Sequence, residues 1–257
     1  HAYTPLLPAV KTGQPRRFVY RKILLIFTVM SSRIGLVMLG GNSMKEITKV
    51  VVDAMGGDNA PHEIIKGAVE AVGKSDAIHV ILVGKEDVIN QELSGYTYNK
   101  EQISVVHTSE VIETAEPPVM AIRRKKDSSI VVGLKMVKDK EADAFVSAGS
   151  SGAVLAGGQL LVGRIKGVER PPLAPLIPTE KGFSILIDCG ANVDARPSHL
   201  VQFAKMGSIY MEHIMGVKNP KVAIVNIGAE EEKGNALVKE TFPMLKECKD
   251  INFTGSI

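Results

Sequence analysis

The chain contains no tryptophan, and its aromatic residues together make up only 5% of 257 positions. A core so poor in rings has to be built from Val, Ile, Leu and Ala. With 24 glycines available for turns, that composition fits layered α/β packing. Cysteine is almost missing as well. Cys189 and Cys248 are the only two, which excludes a disulfide framework and points to a reducing, cytoplasmic setting. Apolar runs are short: Ile23–Met30 falls well below the roughly 18 residues of a spanning helix. Several motifs are absent too. There is no G-x-x-x-x-G-K-[ST] loop, no G-x-G-x-x-G after a strand and no G-x-S-x-G elbow. No His is followed five residues on by Asp, and no His/Cys group has metal-ligand spacing, so no metal site is expected.

Acidic residues are absent from the first 43 positions, which hold six basic ones: Lys11, Arg16, Arg17, Arg21, Lys22 and Arg33. Removing these from the 31 Lys and Arg leaves 25 against 28 acidic residues, a balance of −3. The overall charge of +3 therefore belongs to the leader and gives no reason to invoke nucleic acid. Arg21 and Lys22 before Ile23–Met30 resemble a signal sequence, but no A-x-A site follows and Arg33 interrupts the run. The alternative is translated upstream DNA. Gly40-Gly41 can be encoded by a ribosome-binding sequence, with Asn42 and Ser43 as spacer before Met44. The reading adopted is a non-native leader over 1–43 and an α/β domain over 44–257, incomplete at its C-terminus.

Within that domain, apolar runs alternate with helical periods. Strands are expected at Ile47–Asp53, Ile78–Val83, Ile103–His107, Ala144–Ser147, Phe183–Asp188 and Lys221–Asn226, with another opening near Ile251. Helices are expected after Pro61, over Val119–Lys125, Ile130–Lys138, the stretch through Leu161, Pro197–Met215, and from Ala236 to Cys248. Near-continuous Val/Ile strands joined by helices predict right-handed crossovers and a mostly parallel sheet covered on both faces. The cluster Pro171, Pro172, Pro175 and Pro178 breaks the pattern. It reads as an extended loop, or as a hinge or lid.

Ligands of open parallel sheets bind at strand carboxyl ends. Four predicted strands end alike. The first gives Asp53, Gly56, Gly57, Asp58 and Asn59; the second gives Ser147, Gly149 and Ser150. The third gives Asp188, Asn192 and Asp194, and the last runs from Asn226 through Lys233 to Asn235. Glycine lets backbone amides approach an anion, and a following helix N-terminus adds favourable potential. Parallel strands would bring the four turns to one edge as a shared phosphate-binding site. Asp53, Asp188 and Asp194 are alternatively cation ligands or, more simply, turn and cap carboxylates. Cys189 reads as a small buried thiol rather than a nucleophile. Arg123 to Lys126 and the group Arg164, Lys166 and Arg170 are either solvated faces or docking sites for phosphate or an acidic partner.

The segments VVDAMGGDNAP, AIRRKKDSS, ADAFVSAGSSGA, VGRIKGVERPPLAP, DCGANVDARPSHLVQFAKMGS and VNIGAEEEKGN occur in this order. Together they resemble the bacterial phosphate acyltransferases, which transfer a fatty acyl group from acyl-acyl carrier protein to orthophosphate for phospholipid synthesis. The resemblance runs from Ile47 to Ile257. It implies a three-layer α/β/α sandwich like that of isocitrate and isopropylmalate dehydrogenases, a homodimer without cofactor, and peripheral membrane contact. It also implies a catalytic Lys233 in the E-x-K-G-N motif, acting on the oxyanion or attacking the thioester. Arg123 and Arg164 would meet the acidic carrier protein. Family members continue past the position of Ile257 with a D-G-F-T-G-N-type motif and apolar helices. The alternatives are a phosphate acetyl- or butyryltransferase using a coenzyme A thioester, and an inactive binding module of the same fold.

Overall fold

Val50, Val51 and Val52 form the centre of the first strand. In the computed structural model it is β1 (Thr48–Asp53). The structure describes residues 47–180 and 182–257, so the expected leader at 1–43 and the start at Met44 lie outside the described residues. β1 pairs in parallel with β2 (Ile78–Gly84) on one side and β4 (Ala144–Val146) on the other, and β2 continues to β3 (Ile103–His107). The sheet order is thus β3-β2-β1-β4.

Strand alternation sorts the core into two faces. Val51, Ile81, Val83 and Phe145 point one way, into a cluster with α3 (Pro118–Arg124), α4 (Ser129–Lys138) and α5 (Ser151–Gly157). Val80 and Leu82 point the other way, onto α1 (His62–Val72) and α2 (Glu86–Leu93). α1 buries Ile65, Ala68 and Val72, spaced as one helical face. The packing of α4 is close because Gly133 has no side chain. A Cβ there would lie 2.5 Å from the Phe145 ring and 3.0 Å from Val51. The helix α2 was not expected, because Ile89 and Leu93 are the only two core contacts in an otherwise polar segment.

The second half departs from the expected single sheet. The run at Phe183–Asp188 does not add a parallel strand. It forms β6 (Gly182–Ile185), which pairs antiparallel with β5 (Leu176–Thr179). Pro178 sits in that hairpin, so the proline cluster is part loop and part strand. Then follow α6 (Pro197–His213), β7 (Lys221–Ile224), α7 (Ala236–Glu247) and β8 (Asn252–Ser256), with β7 and β8 parallel. Ala204, Ile224, Phe242 and Leu245 form their core, and Phe242 meets Phe253 edge-on at 5.2 Å. An open groove of about 770 Å³ runs between β6, β7, α6 and α7, lined by Ile185, Phe203, Met211 and Val222 among others. Six of the eight strands described lie in parallel sheets, giving the mixed, mostly parallel α/β class the sequence predicts. No helix among the described residues is long and apolar enough to cross a membrane.

Candidate functional site

At the carboxyl ends of β1 and β4 two turns are fastened together. Asp53 is 1% exposed. It accepts hydrogen bonds from the Ser147 hydroxyl at 2.7 Å and the Met55 amide at 3.1 Å. Burial pushes its carboxyl above the usual carboxylate range, while Ser129, Ser147 and the Met55 and Gly56 amides act in the opposite sense. The Ser147 hydroxyl also accepts from the Gly149 amide at 3.0 Å. Gly56 and Gly149 touch backbone to backbone. A Cβ on Gly56 would lie 2.3 Å from the Asp53 carboxylate and 2.9 Å from the Gly149 nitrogen. Gly57 has φ +108°, a conformation that side chains rarely adopt. Ser150 is buried and caps α5 through the Ala153 amide at 3.2 Å. Asp58 and Asn59 lie exposed at the mouth of this pair of turns.

The third turn closes on a different loop. Asp188 accepts from the backbone amides of Leu173 at 2.6 Å, Asn192 at 2.7 Å and Ala191 at 3.3 Å. The Asn192 side-chain amide donates to the Pro171 carbonyl at 3.1 Å. Asp188 thus holds the proline-rich loop against the CGAN turn. Beside it, Arg164, Glu169, Arg170, Asp194, Arg196 and His199 line a cleft of about 480 Å³ at the N-terminus of α6. Cys189 is exposed rather than buried, because it follows a two-stranded hairpin and not a strand covered on both faces.

The fourth turn is solvent-facing. Lys233 is exposed, and its ammonium group donates to Glu230 at 2.9 Å, holding that carboxyl below its usual range. Asn226 fixes the loop by donating to the Lys233 carbonyl at 3.1 Å. Asn235 caps α7 through the Val238 amide at 2.9 Å. Arg123 is exposed on α3. Its neighbour Lys125 is occupied by Glu116 and the Val111 carbonyl, both at 2.6 Å.

Of the four predicted turns, the structure joins the first two by a direct hydrogen bond, from Ser147 to Asp53. None of the bonds described for Asp53, Ser147 or Ser150 reaches the turns at Asp188 or Asn226. Asp188 and Asn192 instead border the same groove as Val225 at the end of β7. Arg196 and His199 were not singled out by the sequence. The signal was present as R-x-x-H across a helix start marked by Pro197, a spacing in which the fourth side chain reaches back to the first backbone amide. Among the described residues no group of three or more His, Cys, Asp or Glu is placed to hold a metal ion.

The fold defined by these elements is shared with solved acyl-transferring enzymes. EutD phosphotransacetylase from Staphylococcus aureus superposes with a TM-score of 0.59 at 18% identity, over 83% of this chain and 69% of its own. A phosphotransacetylase from Streptococcus pyogenes gives 0.63 at 16% identity, over 89% and 73%. At such identities the likeness establishes the fold. The chain belongs to the family described as fatty acid synthesis protein, whose model matches residues 48–257. Relatives in this family include the phosphate acyltransferase of Clostridium novyi (strain NT), 57% identical over 209 residues, and that of Alkaliphilus oremlandii (strain OhILAs), also 57% identical. Both matches cover 81% of this chain, which spans 63% and 62% of the length of these two curated relatives.

Proposed function

We propose that the protein moves a fatty acyl group from acyl-acyl carrier protein to orthophosphate, giving acyl phosphate for phospholipid synthesis. The observation that carries this reading is the 57% identity to a protein named phosphate acyltransferase. The chemistry asks for little beyond positioning. A phosphate oxygen adds to the thioester carbonyl, and the carrier thiolate leaves. Amides and cations must orient the phosphate and stabilise the developing oxyanion. The glycine turns at Gly56, Gly57 and Gly149 offer close backbone approach, with Asp58 and Asn59 at their mouth. Lys233 acts on the oxyanion or attacks the thioester. Its ammonium already donates to Glu230, which favours the electrophilic role. Arg123 and Arg164 are the proposed contacts to the acidic carrier. Assembly as a cytoplasmic homodimer with peripheral membrane contact completes the proposal.

A second reading, transfer from acetyl- or butyryl-coenzyme A, is favoured by the phosphotransacetylase fold. Incubation with phosphate and either palmitoyl-acyl carrier protein or butyryl-coenzyme A separates the two. Acyl phosphate, trapped as the hydroxamate, is expected from the carrier-protein substrate. Product from the coenzyme A thioester alone would favour the second reading, and product from neither would mark an inactive binding module.

A further inference from the structure

The cleft at the start of α6 is lined by none of the residues of the turns after β1 and β4. We propose that Arg164, Arg170 and Arg196 form a binding site for a tetrahedral phosphate group. Three arginines line this cleft together with two acidic residues, Glu169 and Asp194. Among the described residues no arginine has a carboxylate oxygen within ion-pair distance. Arginines that line one cleft without an ion-paired carboxylate suit a multidentate oxyanion. The first turn of α6, a 17-residue helix, adds its own positive potential.

The Glu169 carboxylate and the His199 ring, in the cleft wall, are held by each other, by Gln202 and by the Arg196 backbone rather than by a guanidinium group. His199 is 5% exposed. Its Nδ1 accepts the backbone N–H of Arg196 at 3.2 Å, so the ring proton sits on Nε2, which donates to Glu169 at 3.0 Å. Glu169 also accepts from the Gln202 side chain at 3.4 Å, and its amide donates to the Gln202 oxygen at 2.9 Å. Glu169 is therefore spent on pinning the Gly163–Pro171 loop to α6. Arg164 donates to the Glu169 carbonyl, which anchors its guanidinium group at the cleft. Asp194 is the remaining carboxylate on the rim, and it opposes an anion there.

Two sources share this chemistry: free orthophosphate, and the phosphodiester of the carrier protein's pantetheine arm. The second source rests on the proposed acyl transfer; the anion site does not. Inorganic phosphate titrated calorimetrically into the full chain at low salt should bind, and Arg170→Ala with Arg196→Ala should weaken it by at least about tenfold. Arg170→Ala alone, in the loop, tests the site if the double variant does not fold. Asp194→Asn should tighten binding severalfold. A parallel titration with holo- and apo-acyl carrier protein identifies the source. An arginine-dependent preference for the holo form assigns the arm, and orthophosphate binding without that preference assigns the free ion. Arginine-independent affinity for both probes overturns the proposal. Because the titration needs no turnover, a protein that binds phosphate here but makes no acyl phosphate would retain the site and lose the proposed activity.

Discussion

A carboxyl group as deeply buried as Asp53 takes up protons more readily in the folded protein than in the unfolded chain, because burial penalises its charged form most. The folded pKa lies above the ordinary value of 3.8. Between those two values the native state binds more protons, so this residue's contribution to stability is full below the ordinary value and is lost as pH rises through the raised one. Glu116, Asp127, Glu230 and Asp250 are lowered by hydrogen bonds from Lys125, Ser109, Lys233 and Lys205. Their contributions run in the opposite direction and disappear on acidification. Asp53→Asn removes only the first trend. The stability difference between wild type and this variant, from urea midpoints at successive pH values, should therefore vary across the window, and a constant difference would refute the assignment. Lys233 is a different case. Its exposed side chain has Glu230 as its one described hydrogen-bond and ion-pair partner, so Lys233→Ala should leave the melting temperature within about a degree or two. Turnover in the acyl phosphate assay should fall at least tenfold, about 1.4 kcal/mol in barrier height. An unchanged rate would remove this lysine from the mechanism.

At the scale of elements, α4 shows packing overruling propensity. Gly133→Ala would improve intrinsic helix formation by up to about 1 kcal/mol, yet the new methyl group would strike Phe145 and Val51. The expected outcome is a net loss of about 1–3 kcal/mol, read from denaturant midpoints; a stabilised variant would show that α4 can move away. Such closeness was not legible in the sequence, because glycine in a helix looks the same whether it faces solvent or a ring. What was legible were the Val/Ile strands β1, β2 and β3, whose runs match the structure to within a residue or so. The run at Phe183–Asp188 misled because a short apolar stretch does not state its direction, and its partner strand lay inside a proline cluster that argued against pairing. The site divides the same way. Placing Asp53 near Ser147 followed from parallel strands ending at one edge. Arg196 and His199 were hidden because their roles depend on a loop some 30 residues upstream.

At the scale of the whole molecule, the candidate chemistry sits in separate groups: the paired turns after β1 and β4, the arginine cleft at α6, and the Lys233 loop. The four-stranded sheet also carries a consequence in time. β1 meets β2 across about 30 residues but meets the three-residue edge strand β4 across 94. Closing the longer loop is entropically dearer and returns fewer backbone bonds. The contact between Asp53 and Ser147 is thus expected to form after the folding transition state. Ser147→Ala, which leaves a buried carboxylate short of a donor, should cost about 1–3 kcal/mol. Nearly all of that loss should appear as faster unfolding, with the refolding limb of the chevron unmoved. Slowed refolding would place β4 in the nucleus instead. On this ordering the paired turns assemble last and open first, so the lifetime of this part of the candidate site is set by the edge strand rather than by the central strands.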